Sequence, residues 1–151
     1  MKKIMTLCIV HQHPRVLLGM KKRGLGAGRW NGFGGKLEKG EAIEDAAIRE
    51  CREEAGIIVE KLDKLGVIDF IFSEGKESQE VHFFKIHEFK SEPTESEEMK
   101  PRWFEVSEIP FMQMWPDDRY WMPMFLKNNK FKGRFVFDEN NKIMDYDIFS
   151  L

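Results

Sequence analysis

G-K-L-E-K-G-E-A-I-E-D-A-A-I-R-E-C-R-E-E-A-G-I, residues 35–57, is the stretch on which the reading of this chain turns. With residues about 100° apart, its second half places Ile43, Ala47 and Cys51 on one helical stripe. Glu50 and Glu54 fall in the middle of that stripe, and Glu53 borders it. Carboxylates without partners are costly on an apolar face. Glu50 and Glu54, four residues apart, repel by roughly 0.2–0.5 kcal/mol even when exposed. They also crowd the C-terminal half of the helix, where the macrodipole disfavours negative charge. Gly56 marks the helix end, since glycine accepts the left-handed conformation there. Three local rules broken together point to a functional site. A bound divalent cation would relieve all three, and clustered oxygen ligands suit Mg²⁺, a hard ion usually shared between carboxylates and substrate phosphates. The bare E-x-x-E-E also fits a solvated acidic surface, with Arg49 and Arg52 supplying ion pairs.

Working outward, 151 residues imply one domain, 1–151, with a sizeable core. Hydrophobic residues make up 42% and charged residues 33%, a balance for a globular, soluble chain rather than a disordered one. A formal net charge of −2 gives no basic footprint for polymeric nucleic acid or an anionic membrane. The two cysteines, Cys8 and Cys51, both sit in apolar patterns and read as reduced core residues, not a disulfide framework. The apolar run 4–10 is too short to span a membrane. The expected setting is the cytoplasm, with a nuclear or mitochondrial fraction left open, and the expected state is a monomer.

Residues 4–10 and 16–20 read as strands broken by His11-Gln12-His13-Pro14-Arg15. His11 and His13 are taken as turn residues, since no cysteine or third histidine accompanies them. Residues 21–29 form a basic, glycine-rich loop, either a solvated connection or a lid facing phosphate. Trp30-Asn31-Gly32-Phe33-Gly34-Gly35-Lys36 follows, a backbone suited to wrapping a charged ligand. Glu41, Glu44 and Asp45 are expected in the first helical turn. Residues 57–60 could start a strand, and 65–72, 81–89 and 103–106 read as strands. His82 and His87 are ordinary strand positions, and 91–98 is a polar loop. A helix is expected over 119–128 despite Pro123, then a hairpin of 131–137 and 143–148 around Asn140-Asn141. This order suggests an α/β fold, a mixed sheet with helices on its two faces.

The pattern Gly35, Glu41, Arg49-Glu50-Cys51-x-Glu53-Glu54-x-Gly56-Ile57 resembles the Nudix box, G-x5-E-x7-R-E-U-x-E-E-x-G-U, at every fixed position, with Cys51 and Ile57 as apolar U. Two further stretches, G-M-K-K-R-G-L-G-A-G-R-W-N-G-F-G-G-K (19–36) and W-P-D-D-R-Y-W (115–121), resemble the animal branch of the Nudix hydrolases that acts on oxidised purine nucleoside triphosphates. The likeness runs along nearly the whole chain and is weakest in the last dozen residues.

The resemblance implies an α/β/α sandwich around a mixed sheet. It implies Mg²⁺-dependent hydrolysis of 8-oxo-dGTP, 2-hydroxy-dATP and similar nucleotides to the monophosphate and pyrophosphate, a sanitation of the nucleotide pool; Mn²⁺ is the alternative ion. It implies Glu50, Glu53 and Glu54 as catalytic metal-binding carboxylates, with the carbonyl of Gly34 and the side chain of Glu98 as further ligands or a base. Asn31, Asp117 and Asp118 would read the base edge; Thr6, Lys21, Phe70 and Trp115 would line the nucleoside pocket. Leu25 departs from the branch, which implies Phe there. The aspartates also fit a bare helix start after Pro116. The residues themselves do not say which glutamate is the base. A binding module without turnover and a Nudix enzyme for another substrate, such as a nucleoside diphosphate sugar or an RNA cap, remain the competing readings. The intact glutamate set argues against the first, and Asn31 with the two aspartates argues for a purine.

Overall fold

The computed structural model describes residues 2–73 and 75–151. Its strands are β1 (Lys2–Gln12), β2 (Arg15–Lys21), β3 (Trp30–Asn31), β4 (Ile58–Phe72), β5 (Ser78–Lys90), β6 (Met99–Glu105), β7 (Phe131–Phe137) and β8 (Ile143–Ser150). The helices are α1 (Ile43–Ala55) and α2 (Asp118–Leu126). Seven strands lie in the order β3-β2-β1-β5-β4-β7-β8, and β6 pairs with β2. The pairs β1–β5 and β4–β7 are parallel, and the remaining pairs are antiparallel. This is the expected mixed sheet.

A sheet covered on both faces needs strands that are apolar on both faces, which is why runs such as Cys8-Ile9-Val10 do not alternate with polar residues. The period of two sorts them instead. Cys8, Val10, Leu17, Phe84 and Ile86 join Ala47, Cys51 and Ala55 of α1 in one core. Ile9, Val16, Leu18, Val81 and Phe83 join Trp121, Met122 and Phe125 of α2 in the other. The second core is aromatic: Phe83 lies 4.5 Å from Trp121 and 5.3 Å from Phe131, ring centroid to centroid. Each such buried ring contributes about 1.5–3 kcal/mol relative to exposure.

Several boundaries differ from the sequence reading for physical reasons. Residues 57–60 and 65–72 belong to one long strand, β4, whose alternation is interrupted by register shifts against β5 between Val59 and Gly66. A bulge moves side chains off the period of two, so the sequence looks like two pieces. Strand β6 starts at Met99, not at 103, and passes through Pro101. It pairs only with β2, so proline's missing donor falls on a free edge. Glu41 lies before α1 rather than in its first turn. Its carboxylate instead takes Arg49, at 2.8 Å from Nε and 3.0 Å from Nη2. Gly56 ends α1 as expected, with φ 68°, and donates its N–H to the carbonyl of Arg52.

Lys85 was expected simply to continue a strand. It is 2% exposed and turns toward α2. Its Nζ donates to the carbonyl of Leu126, the last residue of α2, at 3.4 Å and to Asn128 Oδ1, just past the helix, at 2.7 Å. Burial lowers its pKa to about 8.

Candidate active site

Strands β1 and β2 pair only from Val10 to the turn, and on the N-terminal side of Val10 they part. Residues 33–36 then run antiparallel to β1 in the vacated place, through bridges at Cys8–Phe33 and Met5–Lys36. The Cys8 N–H donates to the Phe33 carbonyl at 2.6 Å, and the Thr6 N–H to the Gly35 carbonyl at 2.9 Å. The approach is so close that only glycine fits. A Cβ on Gly34 would stand 1.9 Å from the Thr6 carbonyl oxygen, and one on Gly32 would stand 2.8 Å from the Cys8 carbonyl oxygen. The glycine-rich run therefore serves strand pairing first, whatever ligand it also faces.

This strap sets the position of α1's acidic face. The Gly34 N–H donates to Glu54 Oε1 at 2.8 Å. Glu54 is 6% exposed, and burial raises its pKa to about 8, against the pull of that hydrogen bond and of Lys21. Glu50 lies behind the strap: a Cβ on Gly35 would touch its carboxylate at 3.0 Å. Burial raises its pKa too, partly offset by Arg49. Arg49 Nη1 stands 2.7 Å from Glu50 Oε1 and 3.1 Å from Glu53 Oε2, so this arginine is the counter-ion of the cluster, as expected for it. Glu53 is exposed. Glu98 accepts from Arg23 Nε at 2.8 Å.

Beside the strap opens a cavity of about 350 Å³. Thr6, Lys21, Asn31, Phe70, Trp115, Asp117 and Asp118, the expected substrate residues, all line it, together with Gly34 and Glu54. Glu50, Glu53 and Glu98 do not. Among the described residues, no three His, Cys, Asp or Glu side chains converge as the ligands of one metal ion would. The donor chemistry nevertheless suits a hard cation. Glu54 is a buried carboxylate whose charge is incompletely compensated, and Glu50 and Glu98 add to its electrostatic load.

The apolar wall was missed in the sequence. Met5, Leu7, Phe72, Val81, Phe83 and Phe137 line the cavity because register brings the α2 faces of β1, β4, β5 and β7 side by side. The pair Phe70 and Phe72, two apart in β4, was the available signal. Leu25 also reaches the cavity, although it is 49% exposed.

Asp117 and Asp118 are 4% and 7% exposed. Asp117 Oδ2 accepts from Trp121 Nε1 at 2.9 Å. Burial raises both pKa values, that of Asp118 further because Asp117 adjoins it. Asp117 is the N-cap residue of α2 and makes no side-chain cap hydrogen bond, and Asp118 opens the first turn. Asn31 Nδ2 donates to the Arg29 carbonyl at 2.8 Å, which fixes the orientation of its amide.

The model of the Nudix domain matches residues 1–125 of this sequence. The chain belongs to the Nudix family. Nudix hydrolases generally use a divalent metal. The chain is 51% identical over 146 residues to the oxidized purine nucleoside triphosphate hydrolase of Mus musculus, covering 97% of this chain and 94% of that one. It is 49% identical to the protein of the same name from Danio rerio, with the same coverage. The crystal structure of the Mutator MutT protein from Bacillus halodurans superposes with a TM-score of 0.86 at 31% identity, covering 97% of each chain. The Nudix fold expected from residues 35–57 is therefore the observed one. Among the described residues, no helix is long and apolar enough to cross a membrane.

Proposed function

We propose that this chain hydrolyses oxidised purine nucleoside triphosphates to the monophosphate and pyrophosphate, acting as one monomeric domain, in the cytoplasm, that removes mutagenic precursors from the nucleotide pool. The observation that carries this reading is the shared cavity. Trp115, Asn31 and the buried pair Asp117–Asp118 line the same space as Glu54 and the glycine strap. The near-full-length likeness to the two animal hydrolases supports the same substrate class.

Glu50, Glu53, Glu54, Glu98 and the Gly34 carbonyl would hold Mg²⁺, or Mn²⁺ in its place. The bound ion would neutralise phosphate charge and polarise an attacking water. The chain's own groups do the rest. Trp115 and Phe70 offer apolar faces to the purine, and Thr6 and Lys21 line the nucleoside side of the cavity. Asn31 presents both a donor and an acceptor. A carboxylate among the glutamates takes the proton of the water. Both cysteines are fully buried in the core and neither lines the cavity, so neither serves as a nucleophile there.

The test is product identification across a panel of normal and oxidised purine triphosphates, with divalent metal present and contaminating phosphatases excluded. Monophosphate and pyrophosphate are expected from 8-oxo-dGTP and 2-hydroxy-dATP, and orthophosphate alone would overturn the reading.

A protonated Asp donates and an ionised one only accepts, so the pair can meet a carbonyl or an amino group at the purine 6 position by moving one proton. Asp117→Asn and Asp118→Asn should therefore each change the ratio of kcat/KM on 8-oxo-dGTP and 2-hydroxy-dATP by about tenfold or more, because a buried polar group left unpaired costs roughly 1–3 kcal/mol. Metal affinity should stay near wild type. If both variants leave the ratio and the absolute values unchanged, the pair does not read the base.

A further inference from the structure

The glycine-rich loop between β2 and β3 packs against Trp115. A Cβ on Gly26 would stand 2.8 Å from Trp115 Nε1, and Gly26 has φ +84°. The Arg29 guanidinium lies over the indole, 4.5 Å from its centroid. Arg29 does not itself line the cavity, whereas Trp115 does, so the cation backs the wall rather than forming it. Its main chain is tied to two cavity residues, since the Arg29 carbonyl accepts from the Lys21 N–H at 3.0 Å and from Asn31 Nδ2 at 2.8 Å. Its Nη1 is buried and has no hydrogen-bond partner among the described residues. An arginine nitrogen left so must be compensated through the ring beneath it and by nearby negative charge. The Asp117–Asp118 pair lies beside that ring: the Asp118 N–H donates to the carbonyl of Trp115, the residue Arg29 covers, at 3.1 Å, and both carboxyls feel the Arg29 charge.

We infer that Arg29 is a positioning residue that sets base selectivity, holding Trp115 in place by stacking and supplying a fixed positive charge that faces the Asp117–Asp118 pair. The inference rests on the reading of that pair as the base-recognising group. Without the cation, the pair keeps its proton to higher pH, so the donor pattern persists where the wild type has lost it. Without the stack, the indole is free to tilt, and the loss appears in KM for every purine.

The experiment separates these effects with two substitutions. Arg29→Met keeps a long apolar side chain but removes the charge, and Arg29→Lys keeps the charge but loses the planar stack. For each variant, kcat/KM on 8-oxo-dGTP and 2-hydroxy-dATP is measured from pH 6 to 9, and the two aspartates are titrated by carboxyl carbon NMR in the substrate-free protein. Arg29→Met is expected to move the carboxyl titration and the ratio profile to higher pH, changing the ratio at fixed pH by about fivefold or more. Arg29→Lys should restore the titration while KM stays raised for both substrates. An unchanged carboxyl titration and an unchanged ratio in Arg29→Met overturn the inference, provided Asp117→Asn and Asp118→Asn do shift the ratio. If those two variants shift nothing, the underlying reading of the pair has failed instead. Should Arg29→Met not fold, Arg29→Lys decides alone: wild-type KM for both substrates refutes the stacking role.

Discussion

Glu54→Gln is expected to lower kcat by about 10²–10⁴-fold, the range for loss of a positioned acid–base group. Glu54 is the only glutamate of the helix trio that lines the cavity. Gln keeps its volume and can still accept the Gly34 N–H, so the fold should survive. The substitution removes the charge alone. A second measurement reports on the same group without substrate. Glu54's folded pKa, about 8, lies above its ordinary value of 4.5. A carboxyl shifted upward stabilises the fold fully below the unfolded pKa, and that stability is lost as pH rises through the folded pKa. In chelator, the wild type should therefore lose stability from pH 4.5 to 8, with a slope of up to about 1.4 kcal/mol per pH unit. Glu54→Gln should flatten that slope and be the more stable of the two at pH 8 to 9. Urea unfolding at fixed pH measures the slope, and steady-state turnover with saturating metal measures kcat. Full activity of the variant would remove Glu54 from the chemistry.

Gly34→Ala should cost about 2–5 kcal/mol of stability and abolish turnover, because the added methyl has nowhere to go. Its three nearest neighbours are the oxygen and carbon of the Thr6 carbonyl and the Leu7 Cα, at 1.9, 2.6 and 2.9 Å, all main chain of β1. A flexible side chain can give way, but a strand paired in register with β5 cannot. Moving the strap instead breaks its bonds to Thr6 and Cys8 and withdraws the donor from Glu54. Gly75→Ala is the control. Its φ is +70° but nothing lies within 4 Å of its Cβ, so only the backbone term of about 1 kcal/mol applies. Chemical denaturation compares the two. Equal small losses would mean that the strap has more room than its geometry gives it.

The sequence by itself determined the helix, its glycine stop and the presence of a mixed sheet between two helices. Those depend on local spacing: carboxylates four residues apart on an apolar stripe, and apolar runs bounded by turn residues. The resemblance carried by residues 19–36 and 115–121 marked Asn31, Trp115, Asp117 and Asp118, and the aromatics flanking the two aspartates set 111–121 apart locally. Tertiary structure alone decided the rest. Which glutamate faces the cavity depends on the strap, and the strap's place depends on β1 and β2 parting, a long-range event with no local signature. The β4 bulges hid one long strand as two because they displace side chains from the period of two. The apolar wall is assembled from strands far apart in the chain, so each member reads locally as ordinary core. Arg29 looked like one more solvated base in a glycine-rich loop. Only the fold laid it over Trp115 and within the field of the aspartate pair.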